Sequence, residues 1–307
     1  MSDVIQLRPV DRALAKFVIV LASRTGDGKT YSALQLALGL AGGNPEKIAL
    51  LDAENRRGSL YANVFAPKKF LIGDLVPPFS PERYVRALRQ VGESGCEVCI
   101  VDSYTHSWNG EGGCEDIANR PKADGSPRKI ADWITAKREN KKLVNTVLFM
   151  PMHVILCVRA QEKMDFSDPN KPVSIGVQPL CEKNLMFEAT ISYMLHKGGR
   201  ERENLKPNRE FDSLLSGGEY LTSDHGKALR DWSGGFDPLE QARASLRLGA
   251  SRGLDGLKTA WGLVPADQKK ALTGFKDSLK ELADHADEEL RLAALSEQKD
   301  QEQAPLV

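Results

Sequence analysis

Short, continuous apolar runs recur along the first two thirds of the chain, and segments with apolar residues at helical spacing separate them. Runs rich in Val, Ile and Leu are typical of strands that are buried on both faces. They predict strands at 15–22, 47–52, 97–102, 153–159, 189–196 and 218–223. The segments between them predict helices at 31–43, 79–95 and 128–150.

Strands that alternate with helices in this way favour an α/β fold with a mostly parallel central sheet. From about residue 236 the pattern is helical only. We therefore predict an α/β domain over 1–235, a small all-helical C-terminal domain over 236–295 and a disordered polar tail over 296–307. Ligands bind open parallel sheets at the carboxyl ends of the strands, so the residues that follow the predicted strands are the candidates for chemistry.

The loop after the first predicted strand reads SRTGDGKT, residues 23–30. The phosphate-binding P-loop pattern is Gly-x-x-x-x-Gly-Lys-[Ser/Thr], and this stretch matches it at its last three positions but begins with Ser23. Glycines let the backbone N–H groups face phosphate oxygens, and the following helix presents its positive end to them. The predicted nucleotide-binding residues in this loop are Ser23, Arg24, Thr25, Gly26, Asp27, Gly28, Lys29, Thr30 and Tyr31.

Three side chains have expected roles at such a site. Lys29 is expected to reach the β- and γ-phosphates, and Thr30 to offer its hydroxyl to Mg²⁺. Asp102 ends the apolar run VCIV and is the expected second ligand of Mg²⁺, because a buried carboxylate without a partner is costly. The alternatives are a glycine-rich turn for 23–30 and a turn or helix-capping role for Asp102.

Hydrolysis of a nucleotide also needs a group that orients the attacking water. Glu54 lies two residues beyond the predicted strand 47–52, at the same edge of the sheet. We therefore predict that Glu54 is the catalytic base. The alternative is a solvated carboxylate in a loop.

The stretch LLDAENRRGSLYA, residues 50–62, resembles the corresponding segment of the RecA recombinase. In that segment Asp-Ala-Glu follows a strand, and Tyr-Ala comes after a six-residue gap. The resemblance implies a RecA-like P-loop NTPase in which Glu54 activates water and Tyr61 stacks on adenine. For Tyr61 the alternative is simple packing against the core.

The RecA resemblance also implies contacts at the γ-phosphate. A sensor residue is expected near the end of the strand 153–159, and Arg159 or Gln161 stands there, Arg159 being our choice as a catalytic residue. Basic residues of a neighbouring subunit reach the γ-phosphate in this family. The possible counterparts here are Lys183, Lys197 and Arg200.

Three further stretches resemble bacteriophage proteins. VDSYTHSWNGEGG (101–113) and HVILCVRAQEKM (153–164) resemble short RecA-like ATPases of bacteriophages, and LDGLKTAWGLVPADQKKAL (254–272) resembles a helical appendage of phage recombination proteins. The resemblance implies an ATPase, with ATP and Mg²⁺ as cofactors, in DNA recombination, repair or single-strand annealing. It implies as partners single-stranded DNA, further copies of the chain in an oligomer or filament, and a single-stranded DNA-binding protein or other recombination partner.

The segment 120–142 holds eight basic residues against three acidic ones, with one tryptophan inside it and Trp108 upstream. Grooves for single-stranded DNA combine cations with aromatic platforms, which favours DNA contact here. The alternative is a helix with a buried apolar stripe whose cations form its solvated face. The predicted DNA contacts are Lys122, Arg128, Lys129, Trp133, Lys137, Arg138, Lys141 and Lys142.

Composition adds limits to this picture. With 42 basic and 42 acidic residues among 307, the formal net charge is zero, which neither favours nor excludes nucleic acid. No apolar run predicts a membrane span, and the N-terminal segment lacks the apolar stretch of a secretion signal. Five scattered cysteines favour a reducing, cytoplasmic location, in the host if the chain is phage-encoded. Cys96 and Cys99 are expected on opposite faces of a strand, without a metal.

Two other functional classes fit the same residues. A P-loop kinase would pass the γ-phosphate to a small molecule and would need an acceptor pocket. A non-hydrolysing nucleotide-binding adaptor would use ATP only to hold the fold for a partner protein, and Ser23 in place of the usual glycine leaves room for that. The spacing from Asp-Ala-Glu to Tyr-Ala favours the ATPase.

Overall fold

The computed structural model of the chain describes residues 10–12, 15–119, 132–165, 167, 172–234 and 238–302. The chain divides into two compact units, Met1–Phe236 and Asp237–Val307. The division lies beside the boundary that the change of sequence pattern near residue 236 predicts. Each unit has its own apolar core.

Within the described part of the first unit, eight strands form one sheet. The strands are β1 (Val18–Ser23), β2 (Ile48–Asp52), β3 (Leu71–Asp74), β4 (Val98–Asp102), β5 (His153–Asp165), β6 (Val173–Pro179), β7 (Ile191–His196) and β8 (Glu201–Asn204). Their order is β3-β2-β4-β5-β1-β7-β8, with β6 paired to β5. The β5–β6 and β7–β8 pairs are antiparallel, and the others are parallel.

Helices follow most strands. They are α1 (Lys29–Leu40), α2 (Pro81–Gly92), α3 (His106–Asn109), α4 (Cys114–Asn119), α5 (Asp132–Leu148), α6 (Leu185–Glu188), α7 (Arg209–Leu214) and α8 (Ser223–Trp232). At the start of α2 the Ser80 side chain accepts from the Arg83 N–H, and Pro81 takes the first helical position. The helix α1 begins two residues earlier than predicted, so the Lys-Thr pair of the glycine-rich loop forms its first turn.

The sheet has a core on each face, because successive side chains of a strand point to opposite sides. In β4, Cys99 and Val101 belong to the core that α2 and α5 cover, whereas Val98 and Ile100 belong to the core under α1 and α8. Central strands are therefore apolar at every position, which is the reason their sequences read as continuous runs. The predicted α/β class with a mostly parallel sheet is confirmed.

Several predictions about elements are wrong. Residues 218–223 form no strand, because their apolar positions end in the turn that leads to α8, whose first residue is Ser223. The strands β3, β6 and β8 were not expected, since they are short or exposed and lack a continuous apolar run. Cys96 and Cys99 lie in the same core, because Cys96 precedes β4 and the alternation of the strand does not reach it.

The second unit contains the helices α9 (Pro238–Ala250), α10 (Gly253–Leu263), α11 (Ala266–Ser278) and α12 (Lys280–Glu302). Leu246, Leu257 and Leu272 lie at the centre of its small core. The helix α12 extends to Glu302, where a disordered tail was predicted from residue 296, and residues 303–307 lie outside the described part. In the described parts of both units, no helix is long and apolar enough to span a membrane.

Candidate functional site

The carboxyl ends of β1, β2 and β4 meet at one cleft with a volume of about 140 Å³. The glycine-rich loop follows β1, the loop containing Glu54 follows β2, and Asp102 is the last residue of β4. Parallel strands bring these three ends to the same edge of the sheet. The residues that line the cleft are Thr25, Gly26, Gly28, Lys29, Thr30, Leu50, Asp52, Glu54, Arg57, Gly58, Leu60, Tyr61 and Asp102.

Glycine is required at position 28 of the loop. Gly28 has a φ of +81°, and a Cβ there would lie 2.7 Å from the carbonyl oxygen of Gly198. Gly26 also has a left-handed φ of +89° but faces open space. The Gly198 N–H donates to Asp27 Oδ1 at 3.1 Å, so the loop is held against the segment that follows β7. The loop therefore presents its backbone to the cleft without side chains in the way.

The predicted residues Ser23, Arg24, Asp27 and Tyr31 are not among those that line the cleft. Ser23 is fully buried, and its hydroxyl donates to the Arg24 carbonyl at 2.8 Å. The Arg24 side chain is exposed and makes an ion pair with a glutamate on β5. Tyr31 is exposed on α1. Side chains at these four positions thus shape or flank the loop. The other five predicted residues line the cleft: Thr25, Gly26, Gly28, Lys29 and Thr30.

Lys29, Thr30 and Asp102 all line the cleft. The Lys29 side chain is buried although it carries a charge. Thr30 Oγ1 donates to Asp102 Oδ2 at 2.5 Å, and the buried Oδ1 of Asp102 has no hydrogen-bond partner. Burial raises the pKa of Asp102 to about 6, although the Thr30 hydrogen bond and the Lys29 charge act in the opposite direction.

The unpartnered oxygen of Asp102 is available to an electropositive ligand. A threonine hydroxyl and a carboxylate are hard oxygen donors, which suit Mg²⁺. In the described part of the chain, no group of three or more His, Cys, Asp or Glu side chains is placed to hold a metal. Two protein oxygens fit Mg²⁺, because this ion usually keeps several waters and binds substrate phosphates.

Replacing Asp102 by asparagine is expected to stabilise the metal-free protein. Its pKa is raised from 3.8 to about 6, and each unit corresponds to about 1.4 kcal/mol, so the charged form costs roughly 3 kcal/mol. This loss of folding free energy is absent below about pH 4, grows as the pH rises to about 6 and reaches its full size above that. Urea unfolding of wild type and Asp102→Asn at pH 4 and pH 8 measures it. An asparagine variant that is no more stable at pH 8 contradicts the prediction.

Asp52 shapes the loop that carries Glu54. Its buried carboxylate accepts from the Glu54 N–H through Oδ1 and from the Gly58 N–H through Oδ2, both at 2.6 Å. A Cβ at Gly58 would lie 2.5 Å from the Leu50 side chain, so a larger residue would have to displace that side chain. The first residue of the Asp-Ala-Glu sequence therefore fixes the position of the third.

The Glu54 side chain is only 8% exposed, so it is not a solvated loop carboxylate. Its Oε1 accepts from Arg159 Nε at 2.8 Å, and its Oε2 accepts from an Arg57 guanidinium nitrogen at 3.4 Å. Burial raises the pKa of Glu54, but the hydrogen bond and charge of Arg159, together with Lys29, outweigh burial and lower it. Glu54 is therefore an ionised carboxylate with little exposed side-chain surface, beside the glycine-rich loop.

His106 is a site neighbour that the sequence reasoning missed. Its ring stacks on Phe79, with 4.9 Å between the ring centroids, and its Nδ1 is buried without a partner. Burial lowers the pKa of His106, and the Arg159 charge lowers it further, so the ring is neutral at pH 7. The sequence signal that points to His106 is its position four residues beyond the end of β4, because the ends of the strands carry the site.

Tyr61 lines the cleft and is half-buried against the core under α1. Its predicted role and its packing alternative are therefore compatible, because one face of the ring can pack against the core while the other lines the cleft.

Of the two sensor candidates, Gln161 is exposed on β5, and Arg159 contacts Glu54. The cations proposed to act across subunits are exposed, and two have partners: Lys197 bonds Glu201 and Arg200 bonds Tyr220.

The described part of the predicted DNA-contact segment is the helix α5, whereas Lys122, Arg128 and Lys129 lie outside the described residues. Trp133 is half-buried against Trp108, with 5.9 Å between ring centroids, so its ring packs in a small satellite core. Ile134 is exposed, so it does not belong to the buried apolar stripe that the alternative interpretation of this segment would require. The exposed cations on this helix are Lys137, Arg138, Lys141 and Lys142.

Comparison with known proteins adds no family to this geometry. A scan against protein-family models finds no match, and a search of curated proteins finds no significant one. The functional argument therefore depends on the residues at the cleft.

Proposed function

We propose that the chain is a RecA-like ATPase that binds ATP with Mg²⁺ and hydrolyses it, acting in DNA recombination, repair or single-strand annealing. One observation carries the proposal. Lys29, the Thr30–Asp102 pair and the buried carboxylate of Glu54 converge on a single cleft from the ends of three strands. This is the combination that phosphoryl transfer needs: a cation for phosphate, oxygen ligands for Mg²⁺ and a group that positions the nucleophile.

Each of these residues has a distinct task in the proposed reaction. The glycine-rich loop and the first turn of α1 would receive the phosphates, and Lys29 would contact the β- and γ-phosphoryl groups. Thr30 and Asp102 would hold Mg²⁺, which when bound offsets the negative charge of the phosphates. Glu54, ionised and shielded from bulk water, would orient the attacking water and accept its proton. Tyr61 would stack on adenine.

The proposed nucleic-acid partner is single-stranded DNA along the exposed face of α5. Lys142 and Arg138 share Glu139, whereas Lys137 and Lys141 have no acidic partner within ion-pair distance in the described part of the chain. Unpaired cations on a helix face suit a phosphate backbone. The role in recombination, the assembly of copies into an oligomer or filament, and a partner such as a single-stranded DNA-binding protein come from the phage resemblance. The proposed action in the host cytoplasm also comes from this resemblance.

The test is steady-state ATP turnover by the full chain, with and without Mg²⁺ and with and without single-stranded DNA. We expect Mg²⁺-dependent turnover that DNA stimulates. The double variant Lys137→Glu, Lys141→Glu is expected to lose the stimulation and to keep the DNA-independent rate, because these residues lie outside the cleft. An exposed pair on the second unit, Lys258→Glu with Lys270→Glu, is the matched control.

The other outcomes identify the competing functions. If the chain binds nucleotide but releases no phosphate under any condition, the proposed hydrolysis is excluded and the adaptor function remains. Transfer of the γ-phosphate to a small molecule, detected with labelled ATP, would identify a kinase. If DNA does not change the turnover, the proposed ATPase activity stands and single-stranded DNA is excluded as the partner.

A further inference from the structure

The carboxylate of Glu54 is held mainly by one arginine. Arg159 Nε lies 2.8 Å from Glu54 Oε1, while the second arginine, Arg57, is 3.4 Å from the other oxygen and is largely exposed. The Arg159 side chain is 38% exposed and is thus partly desolvated with its partner. Ion pairs with desolvated partners and good hydrogen-bond geometry fix a side chain more firmly than exposed ones do.

The backbone of Arg159 is fixed by three different parts of the fold. It pairs in parallel register with Ser23 of β1. Its N–H donates to Thr105 Oγ1 at 2.8 Å, and its carbonyl accepts from the Leu180 N–H at 2.8 Å. Thr105 is buried in the turn after β4. The guanidinium therefore extends from a rigid strand toward a loop that Asp52 shapes independently.

We infer that Arg159 is a positioning residue that acts on the reaction through the carboxylate of Glu54, and not by contacting the terminal phosphate. This inference rests on the proposed function. Its Nε hydrogen bond is committed to Glu54, and Arg159 is not among the residues that line the cleft. A positioned base contributes to turnover and not to binding, because it acts on the attacking water and not on the nucleotide.

The two possible roles of Arg159 predict different measurements. A residue that contacts the γ-phosphate contributes to the affinity for a triphosphate and not to that for a diphosphate. A residue that positions Glu54 contributes to kcat and leaves that affinity ratio unchanged. The experiment therefore measures kcat and KM for ATP, together with the dissociation constants of AMP-PNP and ADP, on the full chain.

Arg159→Met, which keeps the length of the side chain and removes its charge, is expected to lower kcat at least about tenfold. KM and the ratio of AMP-PNP to ADP affinity should stay within about twofold of wild type. Arg159→Lys should recover part of the rate, because it restores the charge without the geometry of the guanidinium. In the Glu54→Gln background, Arg159→Met should cause no further loss, since both substitutions remove one function.

The matched control is Arg56→Met. Arg56 Nε makes a contact of 2.9 Å with Asp74 on the outer side of the same loop, and Arg56 does not line the cleft. This variant is expected to keep wild-type kcat. An equal loss of kcat in Arg56→Met would overturn the inference, because the loss would then reflect general disturbance of the loop.

Three further results would overturn the inference. The first is a wild-type kcat in Arg159→Met. The second is a selective loss of AMP-PNP affinity with ADP affinity retained, which would assign Arg159 to the γ-phosphate. The third is an additional loss in the double variant, which would mean that Arg159 acts independently of Glu54. In each case the wild-type chain still hydrolyses ATP, whereas failure of the proposed function appears as wild-type binding without turnover.

Discussion

Replacing Glu54 by glutamine is expected to lower ATP turnover by about a thousandfold, within the range of general acid–base catalysis. Glutamine has nearly the same shape and can still accept a hydrogen bond from Arg159. It cannot take a proton from the attacking water, and it lacks the charge that orients this water. Because the carboxylate is 8% exposed and hydrogen-bonded, its replacement changes the chemistry at a fixed position. Nucleotide affinity should remain within a few-fold of wild type.

The measurement is phosphate release under saturating ATP, with nucleotide binding followed separately by titration. Glu46→Gln is the control, because Glu46 is exposed, pairs with Lys68 and lies at the opposite end of β2 from the cleft. Turnover close to wild type in Glu54→Gln would contradict the assignment of Glu54 as base. Loss of nucleotide binding in the same variant would instead identify Glu54 as a structural residue of the loop.

Replacing Lys29 by methionine is expected to weaken nucleotide binding by at least about thirtyfold. Methionine keeps the apolar length of the buried side chain and removes the charge that faces the cleft. Losing one partner of a desolvated, hydrogen-bonded charge pair typically costs about 2 kcal/mol or more, which corresponds to that factor. The Lys29 charge also lowers the pKa of both Asp102 and Glu54, so its loss removes a favourable interaction from both carboxylates.

Titration with a fluorescent ATP analogue in Mg²⁺ measures this effect, and Lys47→Met is the control. Lys47 is half-buried, and its Nζ donates to the Gly95 carbonyl at 3.2 Å, before the start of β2 and thus at the end of the sheet away from the cleft. An unchanged affinity in Lys29→Met would exclude the glycine-rich loop as the phosphate site. A lower melting temperature without a lower affinity would show that Lys29 serves only to balance the buried carboxylates.

Much of the fold was predictable, because burial on both faces leaves a signal in every residue of a strand. The strands β1, β2, β4, β5 and β7 were all expected from their apolar runs. The edge strand β3 reads LIGD and is exposed throughout, and β8 reads EREN, so neither has that signal. Such strands form because a neighbouring strand offers free N–H and C=O groups, as β2 does for β3 and β7 does for β8.

The candidate site was predictable to the extent that it lies at strand ends. Thr30 and Asp102 are 72 residues apart, and the sequence proposed both for one site because each follows or ends an apolar run. The roles of Asp52 and His106 were not predictable. Asp52 accepts from two backbone N–H groups of a loop, and the His106 ring stacks on Phe79. Both contacts depend on how the chain folds after the strand has ended.

Sequence patterns alone indicate most of the buried strands and the side chains that stand at their ends. These are local properties, because apolar periodicity, caps and glycines act within a few residues. No local pattern shows that Arg159 pairs with Glu54 at a separation of 105 residues, that Asp102 keeps one oxygen unpartnered or that Trp133 packs on Trp108. Such contacts depend on the order and register of the strands and on the paths of the loops, which are set by the packing of the whole domain.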